Sequence, residues 1–428
     1  MLRFLAIFIL TPLVLLGCAK GRIEAHKEGP HVVPGASAAE IQSLINENPV
    51  LKNSEATRLA QQEVALPLSM GARAYEWLKL INSDLTESDH FSFSNRDNLR
   101  SSPIERPEIY NAAIVVRKAN LLVSSMADGE MKDVLLGNRP IPSTFPAGMS
   151  PTEFLTIGRE VAHIYDLATR WVMMANFMDR LIIEQSSDVR GYNYFKNMED
   201  VEGTLGNYKR LDVKQQEEIR TALIQLCMND ADFFDVSRDD CVMDIAKAVS
   251  KNKVLMKYRE HRQAGERKFK NFFKLNSDLV RSDLTWDKKA NVLHFPFLLP
   301  EDSKIAMYLK SNVEDEWKLP DWNLQIDFSP IRTKGMAVLE FVEGALAHVE
   351  PNKIVMDKNE PISEWTSQST IRHEFGHLLG FKDCYVEFYD ESEHAIVNYQ
   401  LDTTDIMCSS AGRFKKSHYD RLKDAYKK

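Results

Sequence analysis

The chain lacks the features that mark several structural classes. It has only 18 glycines and 17 prolines among 428 residues and shows no repeat of fixed period, which excludes a collagen-like protein. No long apolar run follows residue 16, so it is not a multi-span membrane protein. The formal net charge of −8 gives no excess of positive charge, and we therefore expect no nucleic-acid partner.

The overall composition of the chain is typical of a globular protein. Hydrophobic residues make up 44% of the chain and charged residues 27%, which are ordinary values for folded domains and exclude a disordered chain. The length predicts two domains. We expect an α+β fold, with an all-α N-terminal domain over residues 39–284 followed by a mixed-sheet domain over residues 285–428.

The first residues have the pattern of a secretory signal. Arg3 is followed by an apolar run over residues 4–16, which is too short to cross a membrane comfortably. The run ends in Leu-Leu-Gly-Cys at Cys18 and resembles the bacterial lipobox. That resemblance implies a lipoprotein signal peptide over residues 1–17 and a lipid anchor on Cys18. An ordinary signal peptide is the alternative.

The location of the protein follows from the same segment. Residues 18–38 are polar and predict a tether between the membrane and the folded chain. Ala19 stands where an Asp would mark inner-membrane retention. We therefore expect a lipid-anchored protein of the bacterial cell envelope, with the outer membrane favoured and its periplasmic or surface face left open.

The five cysteines suit an exported chain. Without Cys18 an even four remain, and an oxidising compartment permits disulfides. Four cysteines allow three connectivities, of which proximity in sequence favours Cys227–Cys241 and Cys384–Cys408. Buried free thiols are the alternative.

Hydrophobic periodicity separates the two predicted domains. Apolar residues at 3–4 spacing predict helices throughout residues 39–284, most clearly after Pro151, which stands at a helix start. Beyond residue 284 the pattern predicts strands at 291–299, 324–328, 337–342 and 353–357. It also predicts helices at 301–317, 366–379 and 417–426, with a loop between the last two.

One short motif carries chemistry, the His-Glu-Phe-Gly-His of residues 373–377. On a helix, residues four apart lie on one face, so His373 and His377 can bind one Zn²⁺ through their imidazoles. Glu374 lies beside the open coordination position, where it can take a proton from water as a general base. Two incidental histidines on a helix are the alternative.

A third ligand is expected just after this helix. Gly380 can adopt a positive φ and turn the chain, which could bring Asp383 back to the histidines. Three protein ligands and one open position are typical of a catalytic zinc. Glu387, Asp390 and His394 are the competing ligands in the following segment.

Together these residues, HExxHxxGxxD, resemble the signature of the metzincin metallopeptidases, with Asp where most members carry a third His, as in snapalysin-type members. Upstream, residues 346–365 are similar to the matrixin run before its zinc helix. Downstream, Thr-Asp-Ile-Met-Cys at residues 404–408 resembles the Met-turn, which places Met407 beneath the zinc. The resemblance covers residues 285–428.

The sequence departs from the family at three points. No Tyr lies two residues after Met407, so the tyrosine ligand of astacin-like members is missing. Met356 stands where matrixins carry a second structural-zinc ligand, so we expect only the catalytic zinc. No cysteine-switch sequence is found in the N-terminal region.

The resemblance implies a zinc-dependent endopeptidase that hydrolyses protein or peptide substrates at the cell envelope, with the substrate extended along residues 353–357. A non-catalytic envelope lipoprotein whose helical domain binds a partner is the alternative, and a zinc hydrolase of a non-peptide envelope bond is another. Elsewhere, Glu160 and His163 resemble half of a di-iron motif. No second half is found, so a surface or core position is favoured for both.

Overall fold

A computed structural model describes residues 55–230, 237–342 and 344–427. The predicted signal peptide (1–17), the lipidated Cys18, the tether (18–38) and the first residues of the helical domain (39–54) lie outside the described residues. Among the helices that are described, none is long and apolar enough to cross a membrane.

Residues 55–284, here called the helical region, are mostly α-helix. The elements are α1 (Glu55–Glu63), α2 (Ala65–Asn82), β1 (Glu108–Tyr110), α3 (Ala112–Ser125), α4 (Glu130–Leu135), α5 (Pro151–Met174), α6 (Met178–Glu184), α7 (Arg190–Lys196), α8 (Val201–Gly206), α9 (Val213–Asp230), α10 (Arg238–Ser250) and α11 (Val254–Asn271). The longest of them, α5, begins at a capping box in which Ser150 and Glu153 bond each other's backbone, with Pro151 in the first turn. Its apolar face packs on α2 around Trp77 and Phe154.

Residues 285–427, here called the C-terminal region, contain most of the strands. The elements are β2 (Thr285–Asp287), β3 (Val292–Leu298), α12 (Ser303–Leu309), β4 (Lys318–Leu319), β5 (Trp322–Ser329), β6 (Val338–Val342), β7 (His348–Glu350), β8 (Lys353–Asp357), α13 (Trp365–Leu378), β9 (Tyr385–Asp390), β10 (Ala395–Gln400) and α14 (Lys416–Tyr426). The predicted helix over 301–317 is observed over residues 303–316, with a π-helical turn at Lys310–Glu314 after α12. The chain is thus a mixed α and β structure, as predicted.

The strands form three small sheets, with strand orders β2-β3-β5-β4, β6-β8-β7 and β1-β10-β9. In the second sheet, β8 pairs in parallel with β6 and antiparallel with β7. The prediction that a substrate lies along residues 353–357 therefore needs correction, because β8 is a central strand. The outer strands of this sheet are β6 and β7, and β7 contacts helix α13.

The third sheet joins the two regions. β1 belongs to the helical region and pairs antiparallel with β10, with Tyr110 opposite Ile396. The prediction of an all-α N-terminal region therefore misses one strand. The loop predicted between the last two helices is wrong, because β9 and β10 form an antiparallel hairpin there. Alternating burial along β9, with Val386 and Phe388 inward, gives the hairpin a face in the core.

Candidate metal centre

Helix α13 presents the motif because its other face is buried. Ile371, Phe375 and Leu378 are almost wholly buried in the core of the C-terminal region, where Phe375 stacks on Phe297. The helix ends at Leu378, and Gly380, two residues later, has a φ of +96°, which confirms the expected left-handed turn. This turn leads the chain back along the helix towards Asp383.

The three predicted ligands converge. His373 Nε2 lies 2.9 Å from Asp383 Oδ1 and 3.1 Å from His377 Nε2, and His377 Nε2 lies 3.2 Å from Asp383 Oδ1. Ligand atoms around a tetrahedral zinc, with bonds of about 2.0–2.1 Å, would lie about 3.3 Å apart. The spacing of the three atoms therefore fits one zinc ion.

Backbone hydrogen bonds decide which imidazole nitrogens face the centre. His373 Nδ1 lies 2.9 Å from the carbonyl oxygen of Ile406, and His377 Nδ1 lies 2.9 Å from that of Phe381. A carbonyl oxygen only accepts, so each Nδ1 carries the proton and each neutral ring turns an Nε2 lone pair to the centre. Lone pairs on two nitrogens and one carboxylate oxygen then face one another, and this donor set suits Zn²⁺.

The surroundings of Asp383 favour the charged form of its carboxyl group. Burial alone would raise its pKa, but the two imidazoles, in their protonated form, hold the pKa well below its usual value. Its second oxygen, Oδ2, is buried and has no hydrogen-bond partner among the described residues. The competing ligands lie elsewhere. Glu387 accepts a hydrogen bond from the Tyr110 hydroxyl, Asp390 bonds Ser392, and His394 is exposed in a turn.

Glu374 lies beside the ligands. One of its carboxylate oxygens is within 4.8 Å of a nitrogen of His373 and of His377, whereas Asp383 Oδ1 lies 2.9 and 3.2 Å from the two Nε2 atoms. Burial raises the pKa of the Glu374 carboxyl, and the two imidazoles oppose that shift. Oε2 is buried without a hydrogen-bond partner in the described chain. A free carboxylate oxygen next to the ligands is suited to accept a proton from water.

The predicted Met-turn packs against helix α13 at Gly376. Met407 is 2% exposed, and its sulfur lies 2.1 Å from where a Cβ on Gly376 would stand. Only a glycine allows this close approach between the two histidines. The turn also supplies the Ile406 carbonyl to His373, so it positions a ligand as well as packing on the helix.

Both predicted disulfides are present, Cys227–Cys241 and Cys384–Cys408. The second joins the residue after Asp383 to the residue after Met407. Because its sulfurs are bonded to each other, they are not available as metal ligands beside Asp405.

His373 and Glu374 line a cleft of about 210 Å³ with two walls. The ligand wall comes from the C-terminal region and includes His373, Glu374 and Tyr385. The facing wall comes from the helical region, where β1 supplies Glu108 and Tyr110 and α5 supplies His163, Asp166 and Arg170.

Sequence reasoning missed the facing wall. His163 lies 3.3 Å from Glu108, whereas Glu160 pairs with Arg100, so the two residues of the half motif have different partners. Arg170 and Tyr385 belong to no motif that we used. The sequence signal that could have identified Tyr385 is its position two residues after Asp383, at the start of an alternating apolar run.

Compared with family models, curated proteins and solved structures, the chain matches none of them. The metzincin resemblance therefore depends on the residues of its motifs, and the function depends on the geometry of this site.

Proposed function

We propose that this protein is a zinc-dependent endopeptidase of metzincin type that acts on protein or peptide substrates at the bacterial cell envelope. The observation that carries the proposal is the convergence of His373, His377 and Asp383 with Glu374 beside them. Zinc held by these three side chains would supply a Lewis acid for the scissile carbonyl and make water a better nucleophile. The motifs of residues 373–383 and 404–408 support the same assignment.

Residues of the chain itself carry out the proton transfers and hold the ligands in place. Glu374 takes a proton from the attacking water and returns it to the leaving amine. The backbone carbonyls of Ile406 and Phe381 fix the two imidazole rings. The Cys384–Cys408 bridge ties the segment that carries Asp383 to the Met-turn.

The substrate backbone binds beside β7 in this proposal. Ala345, Leu346 and Ala347 precede β7 and line the cleft, and β7 has one neighbour among the described strands. An extended peptide can add to such an edge through main-chain hydrogen bonds. The envelope location rests on the lipobox at Cys18, and Cys18→Ser should release the protein from membranes in fractionation.

The test compares the protein with Glu374→Gln on a mixed library of unmodified peptides, with products identified by mass spectrometry. Wild type should cleave internal peptide bonds and contain one zinc per chain. The variant should keep the zinc and lose about 10²–10⁴-fold in rate, because it lacks the general base. Glu391→Gln, an exposed carboxylate in the β9–β10 turn, is the matched control and should cleave normally.

Two results would overturn the proposal. Equal cleavage by wild type and Glu374→Gln would show that the site is not the source of activity. Wild-type protein that carries zinc but cleaves no peptide would favour the non-catalytic lipoprotein or a hydrolase of another envelope bond.

A further inference from the structure

A buried histidine of the last helix is hydrogen-bonded through both nitrogens of its ring. His418 lies in the first turn of α14 and is 1% exposed. Its Nδ1 lies 2.9 Å from the backbone nitrogen of Lys415, and its Nε2 lies 3.0 Å from Asp405 Oδ1. A backbone N–H group only donates, so Nδ1 is the acceptor and Nε2 carries the proton. His418 is therefore a neutral imidazole that donates a hydrogen bond to a buried carboxylate.

Asp405 connects this histidine to the Met-turn, residues 404–408. It is 3% exposed, and the same oxygen, Oδ1, accepts from the backbone N–H of Met407 at 2.9 Å. Ile406 lies between the two bonded residues, and its carbonyl oxygen is the acceptor for His373 Nδ1. The Asp405 side chain therefore fixes the short stretch of backbone that orients His373, and His418 holds that side chain in place.

His418 also contacts the segment that orients the other imidazole. Its ring lies 5.2 Å from the ring of Phe381 at an interplanar angle of 88°, an edge-to-face contact. The carbonyl oxygen of Phe381 is the acceptor for His377 Nδ1. One side chain of α14 thus contacts both segments whose carbonyls fix the two zinc-binding rings.

We infer that His418 is a positioning residue of the metal centre, which keeps the carbonyls of Ile406 and Phe381 directed at the two imidazoles. This inference rests on the zinc site of the proposed function, but not on which bond that site hydrolyses. Groups that orient metal ligands change metal affinity by about 10–100-fold. Because His418 acts through Asp405 and Phe381 rather than on a ligand directly, we expect an effect of about tenfold.

This assignment makes helix α14 part of the metal centre. If the contacts of His418 favour zinc binding, then bound zinc must favour the docking of α14 by the same factor, because the two equilibria are linked. The coupling is a property of the folded chain and needs no substrate. It can therefore be measured whether or not a peptide is cleaved.

The first experiment measures zinc affinity in the full-length protein, by competition with a chromophoric chelator. His418→Asn keeps an acceptor near the position of Nδ1 for the backbone of Lys415 but has no donor at the position of Nε2. It should bind zinc about tenfold more weakly than wild type. His418→Gln has a longer side chain whose amide N–H reaches the position of Nε2, and it should restore most of the affinity.

A control separates positioning from a general loss of stability. Leu422 is fully buried on the same helix and packs in the core of the C-terminal region. Leu422→Ala should lower the urea midpoint of unfolding at least as much as His418→Asn, because it removes buried apolar side chain. It should nevertheless bind zinc like wild type, since the bond between His418 and Asp405 is kept. Circular dichroism checks that each variant is folded during the titrations.

The second experiment measures hydrogen exchange of the backbone amides of α14, with and without zinc. In wild type, bound zinc should slow the exchange of residues 416–426 by up to the same tenfold factor. In His418→Asn this protection should largely disappear, while the protection of α13, which carries the ligands, remains.

The outcomes separate this inference from the proposed function. If wild type binds one zinc and His418→Asn binds it with equal affinity, the role of His418 is wrong while the zinc site stands. Equal weakening by Leu422→Ala, or no recovery in His418→Gln, would also overturn it. Exchange in α14 that does not respond to zinc in wild type would exclude the coupling. If wild type binds no zinc, the proposed function itself has failed.

Discussion

The two walls of the cleft hold their polar side chains by different means. In the ligand wall, each imidazole donates to a backbone carbonyl of its own region. In the facing wall, side chains pair with side chains, as Lys118 does with Glu108. A backbone carbonyl has no titratable group and is kept when a side chain is substituted. An ion pair between side chains changes with pH and can be removed by substitution. The ligand wall is therefore the rigid part of the site, and the facing wall is where pH and sequence can adjust it.

The largest difference between the walls should appear on removal of one carboxylate from each. Asp383→Ala should lose bound zinc and nearly all activity, because two imidazoles alone leave the metal with too few ligands. Asp166→Ala should keep one zinc per chain. Metal content is measured after dialysis against graded chelator concentrations. Retention of zinc by Asp383→Ala under conditions that strip other ligand variants would contradict the assignment.

The two disulfides provide the next comparison. Replacing either pair by serine should lower the free energy of unfolding by about 3 kcal/mol, from the loop-closure entropy of the unfolded chain. Only the Cys384→Ser/Cys408→Ser pair should also weaken zinc binding, because it frees the segment that carries Asp383 from the Met-turn. Urea unfolding and chelator competition measure the two effects. Equal zinc affinity in both double variants would show that the bridge does not support the site.

A glycine in each region tests how tightly the local backbone is packed. A Cβ at Gly412 would stand 2.1 Å from the carbonyl oxygen of Asp405, whereas one at Gly206 would meet nothing within 4 Å. Gly412→Ala should therefore cost about 1–3 kcal/mol by displacing the Met-turn. Gly206→Ala should be neutral or slightly stabilising. Thermal unfolding compares them, and a harmless Gly412→Ala would mean that the turn tolerates displacement.

The last comparison concerns the pH response of the facing wall. Burial would raise the pKa of Glu108, but hydrogen bonds from His163 and Lys118 lower it to about 2 from its ordinary 4.5. The charged form therefore stabilises the fold above the ordinary pKa. This stability is lost as the pH falls from about 4.5 to about 2, by at most about 1.4 kcal/mol per pH unit.

Glu108→Gln should remove this contribution. The unfolding free energy of the variant should fall less steeply than that of wild type across the acid range, as measured in urea at a series of pH values. Loss of zinc at acid pH is common to both proteins and cancels in the difference. Parallel curves would show that Glu108 is not stabilised by its partners.

The sequence predicted that the residues of the ligand wall lie close together, because its information is local. His373, Asp383 and Met407 lie within 35 residues of one another, and each follows from a short motif with a geometric meaning. The disulfides were predicted for the same reason, since each pairs cysteines 14 or 24 residues apart. Spacing along the chain is then a good guide to distance in space.

The facing wall could not be predicted because nothing local marks it. Arg170 lies on the apolar-patterned helix α5, and its place in the cleft depends on how that helix packs against distant residues. The bounds of β8 were predicted correctly, but its neighbours were not, because strand order depends on pairing partners rather than on its own five residues. The β9–β10 hairpin is different, since its alternation was visible and was overlooked.

The pairing of β1 with β10 has a consequence for the order in which the protein is built. The Tyr110 hydroxyl bonds Glu387 across 277 residues of sequence, and ribosomes make the chain from its N-terminus. While most of the protein is being synthesised, β1 has no strand to join, and closing so long a loop is slow. The residues of the facing wall are therefore synthesised early, but the sheet that joins this wall to the C-terminal region can form only after β10 has been made. A nascent chain carries no assembled cleft until residue 400 has been made, so this site comes into existence only near the end of synthesis.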